Sequence, residues 1–153
     1  MDSIYALNLR HLEALSVIAR AGSMSAAAEQ VSLSQPALAQ AVTFGYPDIV
    51  RELISVGAPA KLTESSGINL LHWAAIANRP AVIPLLVKAG VSINAKDDFE
   101  FTPLMYAATI DFGDTECLKA LLKAGADPNI KNAEGRTALE QARLYLKARV
   151  VPK

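Results

Sequence analysis

The sequence has few of the residues on which catalytic and metal sites are built, with one cysteine and two histidines among 153 residues. The single Cys117 excludes an internal disulfide, and a chain without disulfides suits a reducing compartment. His11, His72 and Cys117 do not make a zinc set, because no carboxylates stand at matched spacing. Calcium-loop and phosphate-loop patterns are also missing from the sequence. We therefore expect no enzymatic activity, no cofactor and no metal site.

The sequence also lacks an excess of charge of either sign and any long apolar run. Fifteen basic residues balance fifteen acidic ones, so the chain has no general attraction to nucleic acid or to an anionic membrane. No apolar stretch approaches the roughly 20 residues of a transmembrane helix, and the N-terminus does not resemble a signal peptide. Because 52% of the residues are hydrophobic, the chain can bury a core. These features predict a cytoplasmic protein without membrane contacts.

The most informative feature that is present is an internal repeat. A segment that begins at Asn69 realigns with one that begins at Thr102, 33 residues later, and a third copy begins at Thr137, after 35 more. Three glycines have the same spacing: Gly57, Gly90 and Gly125. A period in this range marks stacked repeats, which present an extended surface to partners rather than an enclosed catalytic pocket.

Each repeat has the sequence signals of a turn followed by two helices. Residues 93–98 are polar and typical of an exposed turn. Thr102 is a good N-cap, and Pro103 stands where a helix needs no amide proton. Leucines at helical spacing within 118–122 predict a second helix, which Gly125 ends.

These residues resemble the ankyrin repeat. The matching motifs are Thr102-Pro103-Leu104, Ala107-Ala108, Leu121-Leu122 and the run from Lys123 to Asp127. The resemblance covers about residues 34–149, and the ankyrin domain is assigned to residues 34–153 in about four units, of which the first and the last are atypical. It implies antiparallel helix pairs joined by projecting hairpin turns, and a protein-interaction scaffold as the function. In this pattern the ring of His72 bonds to the backbone between repeats.

Two departures from the ankyrin pattern stand in the middle unit. Phe99 is interpreted as the replacement of the turn glycine found at Gly67 and Gly135. An aromatic residue at an exposed turn is either a binding anchor or folds back onto its own repeat. Two extra residues between the helices of this unit predict a longer loop over residues 110–114.

The first 42 residues do not carry a complete repeat. Segments from Gly22 to Glu29 and from Leu33 to Leu38 resemble the helix-turn-helix of LysR-type transcriptional regulators. The resemblance covers residues 7–42 and implies a recognition helix that enters the major groove of DNA. Its exposed residues are Ser34, Gln35, Pro36, Ala37 and Gln40.

The two resemblances meet in register, because residues 36–41 stand one period of 33 before the segment that begins at Asn69. One helix is then shared by the helix-turn-helix fragment, residues 1–42, and the first ankyrin pair. We interpret the chain as a recombined or engineered chimera, with a natural fusion as the alternative. Residues 1–42 have two basic residues against three acidic ones, too few cations for phosphate contacts. DNA binding is therefore the less favoured function, and a cap on the repeat stack is the favoured role of this segment.

The sequence thus predicts an all-α fold, a short ankyrin-type solenoid capped by two N-terminal helices, in a monomeric chain. The leading function is a non-enzymatic scaffold for an unidentified protein, or for none if the chain was constructed; the alternative is a DNA-binding regulator. The predicted core comprises Leu38, Ile49, Leu53, Leu71, Ala74, Leu85, Leu86, Leu104, Ala107, Leu118, Leu121, Leu122 and Leu139. The predicted binding surface comprises Glu64, Ser65, Ser66, Lys96, Asp98, Phe99, Glu100, Asn132, Glu134 and Arg136.

Overall fold

A computed structural model describes residues 36–110 and 114–150. Within these ranges every regular element is a helix, and no strand is present. The helices are α1 (residues 36–44), α2 (Pro47–Ser55), α3 (Leu70–Ile76), α4 (Ile83–Lys88), α5 (Pro103–Thr109), α6 (Glu116–Lys123) and α7 (Ala138–Val150). A short 3₁₀ turn, Pro80–Val82, leads directly into α4. The prediction of an all-α fold is confirmed for these residues, whereas the two predicted capping helices, within residues 1–35, lie outside them.

The helices form two layers. In the inner layer α3 packs against α5 and α5 against α7, while in the outer layer α2 packs against α4 and α4 against α6. Leu38, Ala41 and Val42 of α1 are buried in the same core. Residues 36–44 therefore form the first helix of a pair with α2, as the register of the repeat predicted.

Two inner helices begin with reciprocal caps. The Asn69 side chain accepts hydrogen bonds from the amides of Leu71 and His72, at 3.0 and 3.1 Å, and Nδ1 of His72 accepts the Asn69 amide at 3.1 Å. Before α7, the Glu140 carboxylate accepts the Thr137 amide at 2.9 Å. Since a cap of this kind stabilises a helix by about 1 kcal/mol, the polar residues between the turns and the helices determine where the inner helices begin.

The core forms mainly as predicted, with two errors. Of the predicted core residues, those that are buried are Leu38, Leu53, Leu71, Ala74, Leu86, Leu104 and Leu121, and those that are partly buried against the core are Ile49, Leu85, Ala107 and Leu118. Leu122 and Leu139 were placed in the core wrongly, because they are 45% and 59% exposed. Leu122 lies on α6 and Leu139 on α7, and no further helix of the described residues covers them.

In the turn that precedes α5, the residue that replaces the turn glycine stands one position later than predicted. The left-handed position of the three turns is held by Gly67, Glu100 and Gly135, with φ of 82°, 57° and 75°. Each of their amides donates to the carbonyl three residues earlier. Glu100, not Phe99, therefore replaces the turn glycine, because this position follows Gly67 by 33 residues.

The longer loop predicted over residues 110–114 falls largely outside the described residues, which do not include 111–113. The structure shows only the two ends of this connection, since α5 ends at Thr109 and α6 begins at Glu116. The length of the loop therefore stays a prediction.

Candidate protein-binding surface

Each of the last two turns is built around one buried polar side chain. Asp97 accepts the amides of Phe99 and Phe101 through Oδ1, at 2.9 and 2.8 Å. Asn132, 35 residues later, accepts the amides of Glu134 and Arg136 at 3.0 Å each. Such Asx turns satisfy backbone groups that a tight turn would leave unpaired. The two side chains thus fix the shape of the turns from beneath.

In all three units, the turn residue that stands three positions before the left-handed residue is hydrogen bonded to a residue of the inner helix nine positions later. The indole of Trp73 donates to Glu64 at 2.7 Å, and the Asn132 amide donates to Gln141 at 3.3 Å. In the middle unit the Tyr106 hydroxyl donates to Oδ2 of Asp97. Burial and this hydrogen bond raise the pKa of Tyr106, so its hydroxyl remains protonated and donates at any physiological pH. The turns and the inner helices therefore form one rigid surface.

Neighbouring turns are joined to one another through their backbones. The Asp98 amide donates to the Ser66 carbonyl at 2.9 Å, and the Ala133 amide lies 3.4 Å from the Phe99 carbonyl that it donates to. Asp98 and Ala133 occupy the same position of successive turns. These contacts align the three turns in a row along one edge of the inner layer.

His72 connects two units from inside the core. Its Nδ1 accepts the Asn69 amide, so the proton is assigned to Nε2, which donates to the Phe101 carbonyl at 2.9 Å. The predicted backbone bond between repeats is therefore confirmed. Burial lowers the pKa of His72 below its ordinary value of 6.5, an effect only partly opposed by the Phe101 carbonyl and the charge of Asp97.

This lowered pKa predicts an acid-sensitive fold. His72 is neutral in the folded chain, whereas in the unfolded chain it takes up a proton near pH 6.5. The stability that neutral His72 contributes is therefore complete above pH 6.5 and is lost as the pH falls below that value. We expect the free energy of unfolding, measured in urea, to decrease more between pH 7 and pH 5.5 in the wild-type chain than in His72→Gln. Because His11 is common to both proteins, parallel pH profiles would contradict the assignment to His72.

The exposed residues of the turns form the surface that we call the tip surface: Glu64, Ser65, Ser66, Lys96, Asp98, Phe99, Glu100, Glu134 and Arg136. All are exposed except Ser66 and Arg136, which are partly buried. Lys96 pairs with Glu100 at 3.3 Å, and Arg136 pairs with Glu134. Asn132 was placed on this surface wrongly, because it is 3% exposed and its side chain holds the turn.

Phe99 is the largest apolar side chain on the tip surface and is 71% exposed. Of the two predicted alternatives, the structure therefore shows that it does not fold back onto its own repeat. Its backbone is held on both sides, since its amide donates to Asp97 and its carbonyl accepts the Ala133 amide. The side chain thus projects from a fixed point of the turn.

The described residues hold no arrangement that favours catalysis. Cys117 is buried, with its thiol 3.5 Å from the Ala74 carbonyl. Burial raises the pKa of the Cys117 thiol to about 11, which opposes formation of a nucleophilic thiolate at neutral pH. In residues 36–110 and 114–150, no group of three His, Cys, Asp or Glu side chains is placed to hold a metal ion. No helix in this part of the chain has the length and apolar character to span a bilayer.

The residues predicted for DNA contact are only partly within the described chain. Pro36 and Gln40 are exposed on α1, and Ala37 is partly buried. Ser34 and Gln35 lie outside the described residues, as does the rest of the predicted helix-turn-helix before residue 36.

Comparison with known families identifies the chain by class. The family model for ankyrin repeats (3 copies) matches residues 4–97 and, in an overlapping match, residues 38–132. The chain belongs to the ankyrin-repeat family. The first of these matches covers the whole segment, residues 7–42, that resembles a LysR-type regulator, and it gives that segment a different assignment. Domains of ankyrin repeats are typically not catalytic.

Curated relatives contain a similar region as a small part of much longer proteins. The chain is 35% identical over 99 residues to palmitoyltransferase Hip14 of Drosophila melanogaster, covering 64% of this chain and 15% of that protein. It is 30% identical over 138 residues to glycerophosphocholine phosphodiesterase gde1 of Schizosaccharomyces pombe, covering 90% of this chain and 12% of that protein. The similarity to the palmitoyltransferases is to their ankyrin regions and does not include their catalytic domain.

Sequence reasoning missed the residues beneath the surface, Asp97 and Tyr106. Asp98, the neighbour of Asp97 in the same turn, is the residue predicted for the binding surface. The repeat itself contains the signal that distinguishes them, since Asp97 and Asn132 each stand three residues before the left-handed position.

Proposed function

We propose that the chain is a non-enzymatic protein-binding module that holds its partner on the tip surface and the adjoining inner helices. Membership of the ankyrin-repeat family supports a protein partner. The single buried Cys117 further supports a cytoplasmic location, and a monomeric chain is part of the same proposal.

The observation that carries this proposal is the exposure of Phe99 on a fixed backbone. Aromatic residues dominate binding energy when they enter a pocket of the partner. An anchor that is already ordered loses less conformational entropy on binding than a mobile one. The exposed ion pairs beside it, Lys96 with Glu100 and Arg136 with Glu134, contribute little to stability and are available for a polar rim.

The test compares three forms of the chain immobilised for capture from a cytoplasmic extract. We expect Phe99→Ala to reduce the recovery of at least one protein by about tenfold or more, measured by quantitative mass spectrometry. Leu62→Ala is the matched control, because Leu62 is an exposed apolar residue that precedes the first turn and is not part of the tip surface. Recovery of every enriched protein at equal levels on wild type and Phe99→Ala would contradict the proposal.

The rival function is DNA binding through the front segment, and Pro36 and Gln40 are accessible for it on α1. A gel shift with mixed genomic DNA at low salt separates the two functions. Retention that is lost as salt increases favours the regulator, whereas its absence at low salt contradicts that function. The interpretation of residues 1–42 as a LysR-type fragment, and of the chain as a chimera, stays a hypothesis beside the ankyrin match that begins at residue 4.

A further inference from the structure

A second apolar surface lies at the opposite end of the described stack from α1 and does not involve the turns. Of the eight large apolar side chains that are exposed in the described residues, five lie on α6 and α7. These five are Leu122, Leu139, Leu144, Tyr145 and Leu146. Their concentration on the last two described helices indicates an uncovered face rather than the scattered exposure that is ordinary on protein surfaces.

The repeat shows which helix position is uncovered in the described part of the chain. Two apolar positions recur in the outer helices: Val50, Ile83 and Leu118 at the first, and Ile54, Val87 and Leu122 at the second. At the first position Val50 and Ile83 are fully buried and Leu118 is not. At the second, Ile54 and Val87 are partly buried and Leu122 is 45% exposed. Since α2 and α4 each have a next outer helix and α6 has none in the described residues, the uncovered surface has the position of an outer helix.

Helix α7 leaves this position open because it continues where an inner helix would end. It has 13 residues, whereas α3 and α5 have seven each. Between α6 and α7 lies a cleft of ≈ 150 Å³, lined by Leu118, Tyr145 and Leu146 among others. We call Leu118, Leu122, Tyr145 and Leu146 the α6–α7 face.

The charges around this face determine which partner suits it. Among the side chains that the structure describes, α6 and α7 carry four basic residues, Lys119, Lys123, Arg143 and Lys147, against two acidic ones, Glu116 and Glu140, and Asp114, just before α6, also lines the cleft. All three acidic groups are engaged within the chain: Glu116 with Lys119 at 3.3 Å, Glu140 with the Thr137 amide at 2.9 Å, and Asp114 with the Asn78 side-chain amide at 3.1 Å. Lys119 and Arg143 lie one helical turn from Leu122 and Leu146, so the apolar face has a basic border.

We propose that the α6–α7 face binds an amphipathic helix of a partner protein whose apolar side is flanked by acidic residues. The helix takes the place of the next outer helix, and its carboxylates meet the basic border. A second copy of this chain suits the face less well, since a two-fold contact would bring basic residues against basic residues. This interaction goes beyond the proposed function, because it uses neither Phe99 nor the other residues of the tip surface.

The test titrates stapled helical peptides into the full chain of 153 residues and follows fluorescence anisotropy. One peptide keeps the Val50, Leu53 and Ile54 spacing of α2 as its apolar side and carries glutamate at the flanking positions, while the other carries lysine there. We expect the glutamate peptide to bind at least about tenfold more tightly at low salt, with an advantage that decreases as salt increases. Equal affinity of the two peptides would overturn the proposal.

Variants of the chain locate the contact. Leu122→Ser with Leu146→Ser is expected to weaken the glutamate peptide about tenfold, and Arg143→Glu with Lys147→Glu to reverse the preference between peptides. Leu62→Ser is the matched control, because Leu62 and Leu122 are equally exposed at 45%. Phe99→Ala is expected to retain the peptide even if it loses its captured proteins, which separates this proposal from the proposed function. Unchanged peptide binding by the Leu122→Ser, Leu146→Ser double variant would overturn the proposal. So would a dimer, seen by sedimentation, that this double variant abolishes.

Discussion

Asp97→Ala is expected to lower the free energy of unfolding by about 3 kcal/mol, the largest loss for any single polar side chain of the turns. Asp97 is 6% exposed and accepts from the Phe99 amide, the Phe101 amide and the Tyr106 hydroxyl. A hydrogen bond to a charged group contributes about 1.5–3 kcal/mol, and bonds that share one acceptor are not additive. Alanine leaves all three donors without this acceptor. Urea denaturation at pH 7 measures the effect.

Asp97→Asn separates the loss of the acceptor from the loss of the charge. Asn132 holds the same position in the next turn and accepts two amides at 3.0 Å, so an amide oxygen is sufficient for the turn. We expect Asp97→Asn to cost at most about 1 kcal/mol. Asp98→Ala is the exposed control and is expected to change stability by less than about 0.5 kcal/mol. Equal losses for Asp97→Asn and Asp97→Ala would show that the charge, rather than the acceptor geometry, stabilises the turn.

The periodic residues made most of the fold predictable. The Thr102-Pro103 start of α5 and the 33-residue spacing are local signals, and each repeat supports the interpretation of the others. The predicted core was correct where neighbouring helices cover the residue, as at Leu53 and Leu86. It was wrong at Leu122 and Leu139, because burial at the end of a stack depends on whether a next helix is present, which helical spacing alone does not show.

The tip surface was less predictable than the fold because neighbouring turn residues have opposite roles. Asp97 is buried and Asp98 is exposed, although the two are identical and adjacent. They differ because the Asp97 carboxylate accepts the amides two and four residues ahead, and backbone geometry determines which carboxylate reaches them. Backbone geometry also explains why the left-handed position is at Glu100 and not, as predicted from the sequence, at Phe99. Phe99 is instead the exposed aromatic residue of the turn.

Gly67→Ala is expected to lower the free energy of unfolding by about 3 kcal/mol, the second large effect, because Gly67 holds the left-handed position of its turn. Any Cβ at a φ of 82° is strained by about 1–2 kcal/mol. At Gly67 the added carbon would also stand 2.8 Å from Cα of Asp97 and 3.1 Å from the Lys96 carbonyl. These atoms belong to the backbone of the next turn, which is hydrogen bonded to Ser66 and cannot withdraw without losing that contact. Overpacking of this kind adds about 1–3 kcal/mol.

Gly135→Ala is the matched control, because it has nearly the same φ, 75°, and no atom within 4 Å of the added carbon. It should cost only the strain, about 1 kcal/mol. Glu100→Gly changes the same position in the opposite direction and should raise the free energy of unfolding by about 0.5 kcal/mol, since the strain relieved exceeds the entropy that glycine adds to the unfolded chain. Thermal and urea unfolding of the three variants measure the series. If Gly67→Ala and Gly135→Ala lost equal stability, the close approach of the first turn to the second would not contribute to the fold, and the three turns would be independent rather than one continuous surface.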